Sequence, residues 1–358
     1  MDLEELRKQI DQIDQKVLQL LNDRAEVVKE VAKIKQRTHK AYYDPTREEE
    51  ILRRLQRSNP GSFPSMAIRP VFREIISACL SLETPIRIAY LGPEATYTHM
   101  AVLKRFGSSS SLIPSKSIEG VFGEVERGGA NYGVVPVENS SEGVVSHTLD
   151  MFVNSDLKIC AEVMMEIHHN LLSRSTSLSD IEKVYSHPQA VAQSRAWLRD
   201  NLPSCQIIEV SSTARAAEMA CQDAKAGAIA SELAANIYDL NIVQSRIEDM
   251  LHNYTRFLVI GKTFSPKTDK DKTSVIFSIK DRAGALYHML KPFAEKDINL
   301  TKIESRPTKK QPWEYIFFVD FVGHKDDEKV RLALDSLKGQ CIFLKILGSY
   351  PIAEIRDE

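Results

Sequence analysis

Apolar residues in the first forty positions recur every seven residues, in two interleaved rows. One row holds Leu3, Ile10, Val17 and Val31, and the other holds Leu6, Ile13, Leu20, Val27 and Ile34. This spacing predicts one long helix from about residue 3 to residue 40 with an apolar seam. A second helix is expected from Asp44-Pro45 to about Arg57, and a third ends near Glu83. Because two short helices cannot cover so long a seam, we expect a second copy of the chain to pack on it as an intertwined homodimer.

The pattern changes after residue 85. Between residues 86 and 262, short apolar runs rich in β-branched residues alternate with helical stretches, which indicates an α/β region with two lobes and a cleft. A polar segment at 264–272 reads as a linker. The remaining pattern has the order βαββαβ, typical of a small α+β ferredoxin-like domain. The sequence thus predicts a multidomain chain with three parts, at 1–85, 86–263 and 272–350.

Composition narrows the possible partners. The 358 residues carry 47 basic and 49 acidic side chains, and this balance does not favour nucleic acid or an anionic membrane as a partner. The sequence has no apolar run of roughly 18 residues and no apolar stretch like that of a signal peptide. Its five scattered cysteines form no CxxC pair, which favours reduced thiols in the cytoplasm. Neither a metal site nor another cofactor is predicted.

One seam position carries a charge. Arg24 stands between Val17 and Val31, where a charge is costly unless it is paired. It either fixes the helix register and extends toward water, or it belongs to a site for an anionic ligand. Lys35 lies three turns and about 20° further along, on the same face. Arg7 lies roughly 100° away from that face, so at the same site it would reach across from the partner subunit.

The first region as a whole resembles the helical chorismate mutases. The matching residues, in order, are Arg7, Arg24, Lys35, Asp44, Arg47 and Glu48, followed by Cys79 and Glu83 on the third helix. The resemblance implies that the arginines hold the two carboxylates of chorismate in the reactive conformer. It also implies that Lys35 and Glu83 face the breaking ether oxygen.

The resemblance also implies roles for the remaining residues of this group, with alternatives for Arg47 and Cys79. Asp44 and Glu48 would accept hydrogen bonds from the substrate hydroxyl and from nearby backbone. Arg47 either assists binding or orients Glu48. Cys79 replaces a residue that is usually Ser in relatives, and it either packs the helix or contacts the ligand.

The second region resembles the prephenate dehydratases over its whole length. The shared motifs are GPEATYT at 92–98, PVENS at 136–140, SHPQA at 186–190, STA at 212–214 and NYTRF at 253–257. Ala95 departs from the pattern, since relatives mostly have Gly there, and we interpret the two residues as near-equivalent. The resemblance implies a two-lobed fold of the periplasmic-binding-protein kind. It also implies loss of carbon dioxide and hydroxide from prephenate to give phenylpyruvate.

Such a reaction needs binding groups for two carboxylates and a hydrogen-bond donor at the leaving hydroxyl. By analogy with the Thr-Arg-Phe motif, Thr255 is the predicted donor. The candidates for substrate binding are Glu138, Asn139, Ser140, Ser186, Gln189, Gln193, Thr213, Arg256 and Phe257. Arg256 either polarises Thr255 or forms a structural ion pair, and His187 either acts as a base or shapes its turn. The adjacent His168 and His169 lack metal-motif spacing and are interpreted as structural or solvent-facing.

The third region resembles the ACT regulatory domains of amino-acid biosynthesis. Two motifs match the phenylalanine-regulated dehydratases: Gly284-Ala285-Leu286 at the start of a helix, and Glu304-Ser305-Arg306-Pro307 at the end of a strand. The resemblance implies that L-phenylalanine binds between two such domains of a homodimer or larger oligomer. Bound phenylalanine would favour a less active state.

Together the three resemblances predict a bifunctional enzyme of phenylalanine biosynthesis that is inhibited by its end product. Two alternatives stay open. One is a chain that retains a single activity, with the helical region kept for dimerisation. The other is a non-catalytic amino-acid sensor.

Glu83 generates a prediction about pH. A carboxyl group must be protonated to donate a hydrogen bond to the ether oxygen, whereas the Gln found in some family members donates at any pH. We therefore expect mutase activity to fall above neutral pH, and Glu83→Gln to flatten that profile. Initial rates of chorismate consumption between pH 6 and 9 would test this (roughly the range in which such a raised carboxyl titrates), and a flat profile for the parent protein would refute it.

Overall fold

The computed structural model describes residues 2–37, 45–82, 85–250, 252–279, 283–307 and 315–353. The chain forms two compact units. The first comprises Met1–Arg87 with Phe106–Ser111, and the second comprises Ile88–Arg105 with Leu112–Glu358.

The first unit is built from the three predicted helices: α1 Leu3–Arg37, α2 Pro45–Arg57 and α3 Ser65–Ser81. An ion pair between Glu49 on α2 and Arg69 on α3 joins the two shorter helices. The apolar seam of α1 stays uncovered within this unit. All nine residues of its two rows are between 39 % and 66 % exposed. A helix of this length with so wide an apolar face needs a further surface to bury it.

The second unit begins with a lobe built on a six-stranded sheet in the order β2-β1-β3-β11-β5, with β4 paired to β3. Its elements are β1 Arg87–Leu91, α4 Tyr97–Phe106, β2 Ser111–Ser115, α5 Ile118–Glu126, β3 Tyr132–Asn139, β4 Gly143–Val144, α6 Ser146–Asn154, β5 Lys158–Glu166 and β11 Tyr254–Gly261. Strand β11 lies between β3 and β5 and is antiparallel to both. It is therefore an inner strand of this sheet, although it is the last of the sheet's strands in chain order.

The next lobe carries a five-stranded sheet in the order β10-β6-β9-β7-β8. Its elements are β6 Asn170–Ser173, a 3₁₀ turn at Leu178–Asp180, β7 Lys183–Ser186, α7 Pro188–Gln193, α8 Arg195–Asn201, β8 Gln206–Glu209, α9 Thr213–Ala220, β9 Ala226–Ala230, α10 Glu232–Tyr238 and β10 Asn241–Gln244. Alanine dominates the contact between α9, α10 and the sheet, which lets the layers approach closely. The two sheets confirm the predicted two-lobed α/β region.

The chain passes between the lobes twice, after β5 and before β11. These two crossing segments are hydrogen-bonded to each other. The N–H of Ile167 donates to the carbonyl oxygen of Asn253 at 2.7 Å, and the N–H of Ile247 donates to that of His169 at 2.8 Å. Side chains on these segments therefore lie where the two lobes meet.

The third region has the predicted βαββαβ order. Its elements are β12 Asp271–Ile279, α11 Ala285–Ala294, β13 Leu300–Pro307, β14 Tyr315–Val322, α12 Glu328–Lys338 and β15 Phe343–Pro351. The sheet order is β13-β14-β12-β15. Alternate residues of β12 face opposite ways, so Val275 and Phe277 pack under the helices and Ile276 packs on the other side.

That other side of the four-stranded sheet is buried against the first lobe. Ile276, Phe318 and Leu347 belong to one apolar cluster with Phe152 of α6 and Ile159 of β5. Shared burial of this kind fixes the two domains against each other far more firmly than a flexible linker would.

The close approach of Gly348 to the backbone of Ile159 predicts that a larger residue at position 348 destabilises the protein. A Cβ atom at Gly348 would overlap the backbone oxygen of Ile159 and lie 2.9 Å from its carbonyl carbon. We expect Gly348→Ala to lower the free energy of unfolding by about 1–3 kcal/mol, because backbone must move to admit the methyl group. Gly339→Ala is the matched control, since its nearest neighbour would be 3.7 Å away. Denaturant unfolding with equal stabilities for the two variants would show that the contact is not tight.

Candidate active sites

Strand β11 presents its polar residues to opposite faces of the first sheet, because side chains alternate along a strand. Thr255 faces one side, next to Asn139 of β3, with which it is in register. Both side chains are buried, and the Asn139 amide nitrogen Nδ2 donates to Thr255 Oγ1 at 2.8 Å. Arg256 faces the other side, toward the regulatory domain.

The orientation of the Asn139 amide is fixed by backbone groups. Its oxygen Oδ1 accepts the N–H groups of Ser141 at 2.9 Å and Glu142 at 3.0 Å. The NH₂ group must therefore point toward Thr255, whose oxygen can only accept from it. Among the residues that the structure describes, Thr255 donates its own proton to none. The hydroxyl is thus held as a free donor for a ligand.

The hydrogen bonds continue from Asn139 into the other lobe. Asn139 Nδ2 also donates to Asn253 Oδ1 at 2.8 Å, and Asn253 Nδ2 donates to Gln193 Oε1 at 3.1 Å. Gln193 lies at the end of α7, so this chain of amides joins the two lobes. The Gln193 NH₂ group lies 3.5 Å from Glu142 Oε1 and keeps the capacity to bind an acceptor.

His169 lies at the Gln193 end of this chain of hydrogen bonds. Its Nε2 lies 2.8 Å from Gln193 Oε1, and its Nδ1 lies 2.9 Å from the Tyr97 hydroxyl oxygen. Burial lowers the pKa of His169, and the hydrogen bond to Gln193 and the nearby Glu248 carboxylate oppose this shift only in part. The imidazole is therefore neutral at pH 7. Its neighbour His168 pairs with Glu248 at 2.8 Å.

The other polar candidates in the second region have varied settings. Ser186 is fully buried, and its hydroxyl donates to the Ile229 carbonyl oxygen at 3.3 Å. Ser140 is exposed and accepts the N–H of Tyr254 at 2.9 Å. Gln189 is half-buried on the same helix as Gln193, and Thr213 is half-buried at the start of α9.

Two further candidates have contacts that favour a structural role. Phe257 is almost fully buried in the first sheet, as a packing residue is. His187 Nδ1 accepts the N–H of Gln189 at 3.3 Å and caps α7, which favours the turn-shaping interpretation over the catalytic base.

Arg256 lies in a buried ionic network with the regulatory domain. Its guanidinium donates to Glu162 at 2.8 Å, to Asp320 at 2.6 Å and to the Tyr350 hydroxyl at 2.9 Å. Burial opposes the charge of Arg256, but Tyr350 and the two carboxylates outweigh that effect and raise its pKa. These contacts favour the structural ion pair among the two interpretations of Arg256.

Glu138 shares this face of the sheet. Its carboxylate lies 2.6 Å from Lys302 Nζ on β13 and 4.0 Å from Arg256 Nη1. The PVENS motif is thus divided between two surfaces, because Glu138 faces the regulatory domain and Asn139 faces Thr255.

The cationic residues of the first unit are distributed along its helices. Arg24 is half-buried, and its Nη1 is enclosed without a hydrogen bond to any described residue. Lys35 is half-buried on the same helix face. Arg7 is exposed and pairs with Glu4 at 3.2 Å, and Arg47 is exposed and pairs with Glu50 at 3.1 Å.

Two of the four remaining candidates of the first unit lie among the described residues. Glu48 is buried and lies 3.8 Å from Arg73 Nε, and these two residues line a small pocket on α2 and α3. Cys79 is buried on α3. Asp44 and Glu83 lie outside the described residues.

The two motifs of the third region lie at a helix start and at a strand end. Gly284 precedes α11 with a φ of +78°, a left-handed conformation that favours glycine, and Ala285 is buried beside the exposed Leu286. Glu304, Ser305, Arg306 and Pro307 end strand β13 at the edge of the sheet. Arg306 Nη2 lies 3.4 Å from Asp150.

Ala95 has a backbone conformation that the sequence interpretation did not anticipate. Its φ of +67° lies in the left-handed region, which costs any residue with a Cβ atom more than it costs glycine. Glycine and alanine are therefore not equivalent here, and the reason is the backbone rather than crowding of the loop by a methyl group.

His169 is buried and hydrogen-bonded, which agrees with the structural option of the two given for the histidine pair. Its link to Gln193 was not predicted from the sequence, and Tyr97 and Asn253 were named only as parts of motifs. The available signal was the segment IHHNLL, where three polar residues interrupt an apolar run at the lobe crossing. Among the described residues, no group of three or more His, Cys, Asp or Glu could hold a metal ion, and no helix is long and apolar enough to cross a membrane.

Comparison with known proteins agrees with this organisation. Three family models match in order: chorismate mutase type II at residues 6–84, prephenate dehydratase at 88–265 and the ACT domain at 273–339. A bifunctional chorismate mutase/prephenate dehydratase of Aquifex aeolicus is 53 % identical over 360 residues, covering 99 % of each chain.

Two solved structures share the fold of the second unit. A prephenate dehydratase of Arthrobacter aurescens in complex with L-Phe is 34 % identical, with a TM-score of 0.69 over 75 % of this chain and 90 % of that one. A quorum-quenching acylase named GqqA is 27 % identical, with a TM-score of 0.69 over 75 % and 98 %. The fold thus accompanies more than one named activity, and full-length identity is what assigns this chain.

The described architecture is that of an enzyme with a helical mutase part, a two-lobed dehydratase part and an ACT domain. The chain belongs to the family of bifunctional chorismate mutase/prephenate dehydratases.

The buried ionic network predicts that loss of the Asp320 carboxylate destabilises the protein. Asp320→Ala leaves the buried Arg256 without one of its two close carboxylates, and we expect a loss of about 3 kcal/mol in unfolding free energy. Asp200→Ala is the control, because that carboxylate is exposed and pairs at the surface with the exposed Arg199, so about 0–1 kcal/mol is expected. Denaturant unfolding of both variants measures the difference, and a similar loss in each would contradict a stabilising network.

Proposed function

We propose that the chain rearranges chorismate to prephenate and then converts prephenate to phenylpyruvate, with feedback inhibition by L-phenylalanine. The mutase is assigned to residues 1–85, the dehydratase to 86–263 and the ACT domain to 272–350. The observation that carries the dehydratase site is the fixed Asn139 amide, which keeps the Thr255 proton available to substrate.

The mutase step requires neither a nucleophile nor a proton transfer. Arg24 and Lys35 share one face of α1, and Nη1 of Arg24, which bonds to no described residue, is the group that a substrate carboxylate would satisfy. Arg7, from the partner subunit, would bind the other carboxylate. Glu48, together with Asp44, would accept from the substrate hydroxyl. Lys35 and Glu83 would stabilise charge on the ether oxygen.

The dehydratase step removes two groups from opposite ends of the ring of prephenate. The bond from the ring carbon to its carboxylate breaks, carbon dioxide leaves, and the electron pair enters the ring. Hydroxide departs from the opposite carbon and becomes water on gaining a proton. Thr255 donates a hydrogen bond to the departing oxygen, and aromatisation drives the reaction. Gln193 offers its NH₂ group to a substrate carboxylate.

A homodimer explains the uncovered seam of α1. Burial of its nine apolar side chains against a second copy would stabilise both chains, and it would bring Arg7 of one subunit to the site of the other. Regulation would use the same symmetry, with L-phenylalanine bound between two ACT domains at Gly284–Leu286 and Glu304–Pro307. Five free cysteines fit a reducing compartment such as the cytoplasm.

Reciprocal variants test the assignment of two separate sites. Thr255→Ala removes the donor, so we expect dehydratase turnover to fall on the order of 100-fold or more, while Thr255→Ser restores a hydroxyl and much of the rate. Arg24→Ala should abolish mutase activity and leave the dehydratase intact. Chorismate consumption and phenylpyruvate formation report the two steps on one sample. Loss of both activities in either variant, with the fold retained, would rule out independent sites.

A further inference from the structure

The amide chain between the lobes has a single direction. The backbone N–H groups of Ser141 and Glu142 hold Asn139 Oδ1, so Asn139 must donate to Asn253. Because Asn253 accepts from Asn139 with its oxygen, it donates to Gln193 with its NH₂ group, and Gln193 must accept with Oε1. If one amide turned over, its neighbour would face it with two donors or two acceptors. Each link therefore constrains the next.

The same rule reaches the imidazole. Gln193 Oε1 can only accept, so the His169 nitrogen 2.8 Å away, Nε2, must carry a proton. In the neutral ring Nδ1 is then an acceptor, and the Tyr97 hydroxyl 2.9 Å away supplies its proton. The carbonyl oxygen of His168 lies 2.8 Å from the same hydroxyl, but one proton serves one acceptor at a time.

We propose that His169 is a positioning residue of the dehydratase: as its Nε2–H tautomer it holds Gln193 with the NH₂ group turned away from Asn253, one N–H directed toward Glu142 and the other available to substrate. The Tyr97 hydroxyl supports that tautomer when it donates to Nδ1 and not to the His168 carbonyl oxygen. Asn253 holds the second lone pair of the same Gln193 oxygen. His169 itself touches no substrate and transfers no proton.

This role rests on the proposed function, in which Gln193 binds a substrate carboxylate. Without the His169 donor, only the Asn253 NH₂ group and the more distant Glu142 carboxylate oppose a turn of the Gln193 amide that brings its oxygen toward the bound anion and its NH₂ group toward that of Asn253. The first change repels substrate, and the second disturbs Asn139 and hence the direction of the Thr255 hydroxyl. Both lower kcat/KM for prephenate.

Two variants of His169 separate positioning from packing. Glutamine places its amide nitrogen near the position of Nε2 and can still donate to Gln193. Asparagine places its amide nitrogen near the position of Nδ1 and cannot. We expect His169→Asn to lower kcat/KM for prephenate on the order of 100-fold, and His169→Gln to restore most of it. Asn253→Asp, which removes the other donor to Gln193 with little change in shape, should resemble His169→Asn.

The full-length protein is assayed with prephenate for the dehydratase and with chorismate for the mutase, and thermal unfolding is followed for each variant. An unchanged unfolding temperature of the second unit shows that a variant is folded, and unchanged mutase activity shows that its effect is confined to the dehydratase. Equal losses in His169→Asn and His169→Gln, or near-normal activity in His169→Asn and Asn253→Asp, would overturn the positioning role. Full activity in Thr255→Ala would instead contradict the proposed function.

Discussion

The direction of the Asn139 side-chain amide determines how the dehydratase site is organised. Two backbone N–H groups of the turn after β3 hold its oxygen, and this leaves the NH₂ group as a donor to Thr255 and Asn253. A weak acid such as threonine can assist a leaving group only when its proton is free and correctly aimed. The turn after β3 thus keeps the Thr255 proton available and aimed at a ligand, although the hydroxyl itself is a weak acid.

Strand β11 connects this site to the rest of the second unit. Consecutive residues of the strand face opposite ways. Thr255 lies beside the side-chain amide of Asn139, whereas Arg256 lies between carboxylates of the dehydratase lobe and of the regulatory domain. Asp320 and Tyr350 come from strands of that domain, and Glu162 comes from the dehydratase lobe. A change in the regulatory sheet would therefore bear on the backbone that carries Thr255. This shared strand is a physical route by which an effector could alter catalysis.

Much of the fold was predictable because it follows from periodicity. The heptad rows predicted α1, and the order of apolar runs predicted the α/β region and the βαββαβ domain. The candidate site was predictable where a motif is a local feature, as for Thr255 and Asn139. It was not predictable where a role depends on distant partners: His169 needs Gln193 and Tyr97, and Arg256 needs Asp320, each far away in sequence. Ala95 shows a third limit, since a positive φ is a property of the folded loop.

The protonation of the His169 ring tests the proposed direction of the amide chain most directly. Each hydrogen bond from Asn139 through Asn253 and Gln193 contributes to which ring nitrogen carries the proton. The full-length protein, with ¹⁵N in its imidazole rings, can be studied by NMR at neutral pH, and the His169 signals can be assigned by their loss in His169→Gln. The account predicts a neutral ring with its proton on Nε2 and a bare Nδ1. A proton on Nδ1 with a bare Nε2 would mean that Gln193 presents its NH₂ group to the imidazole, and the proposed direction of the chain would be wrong.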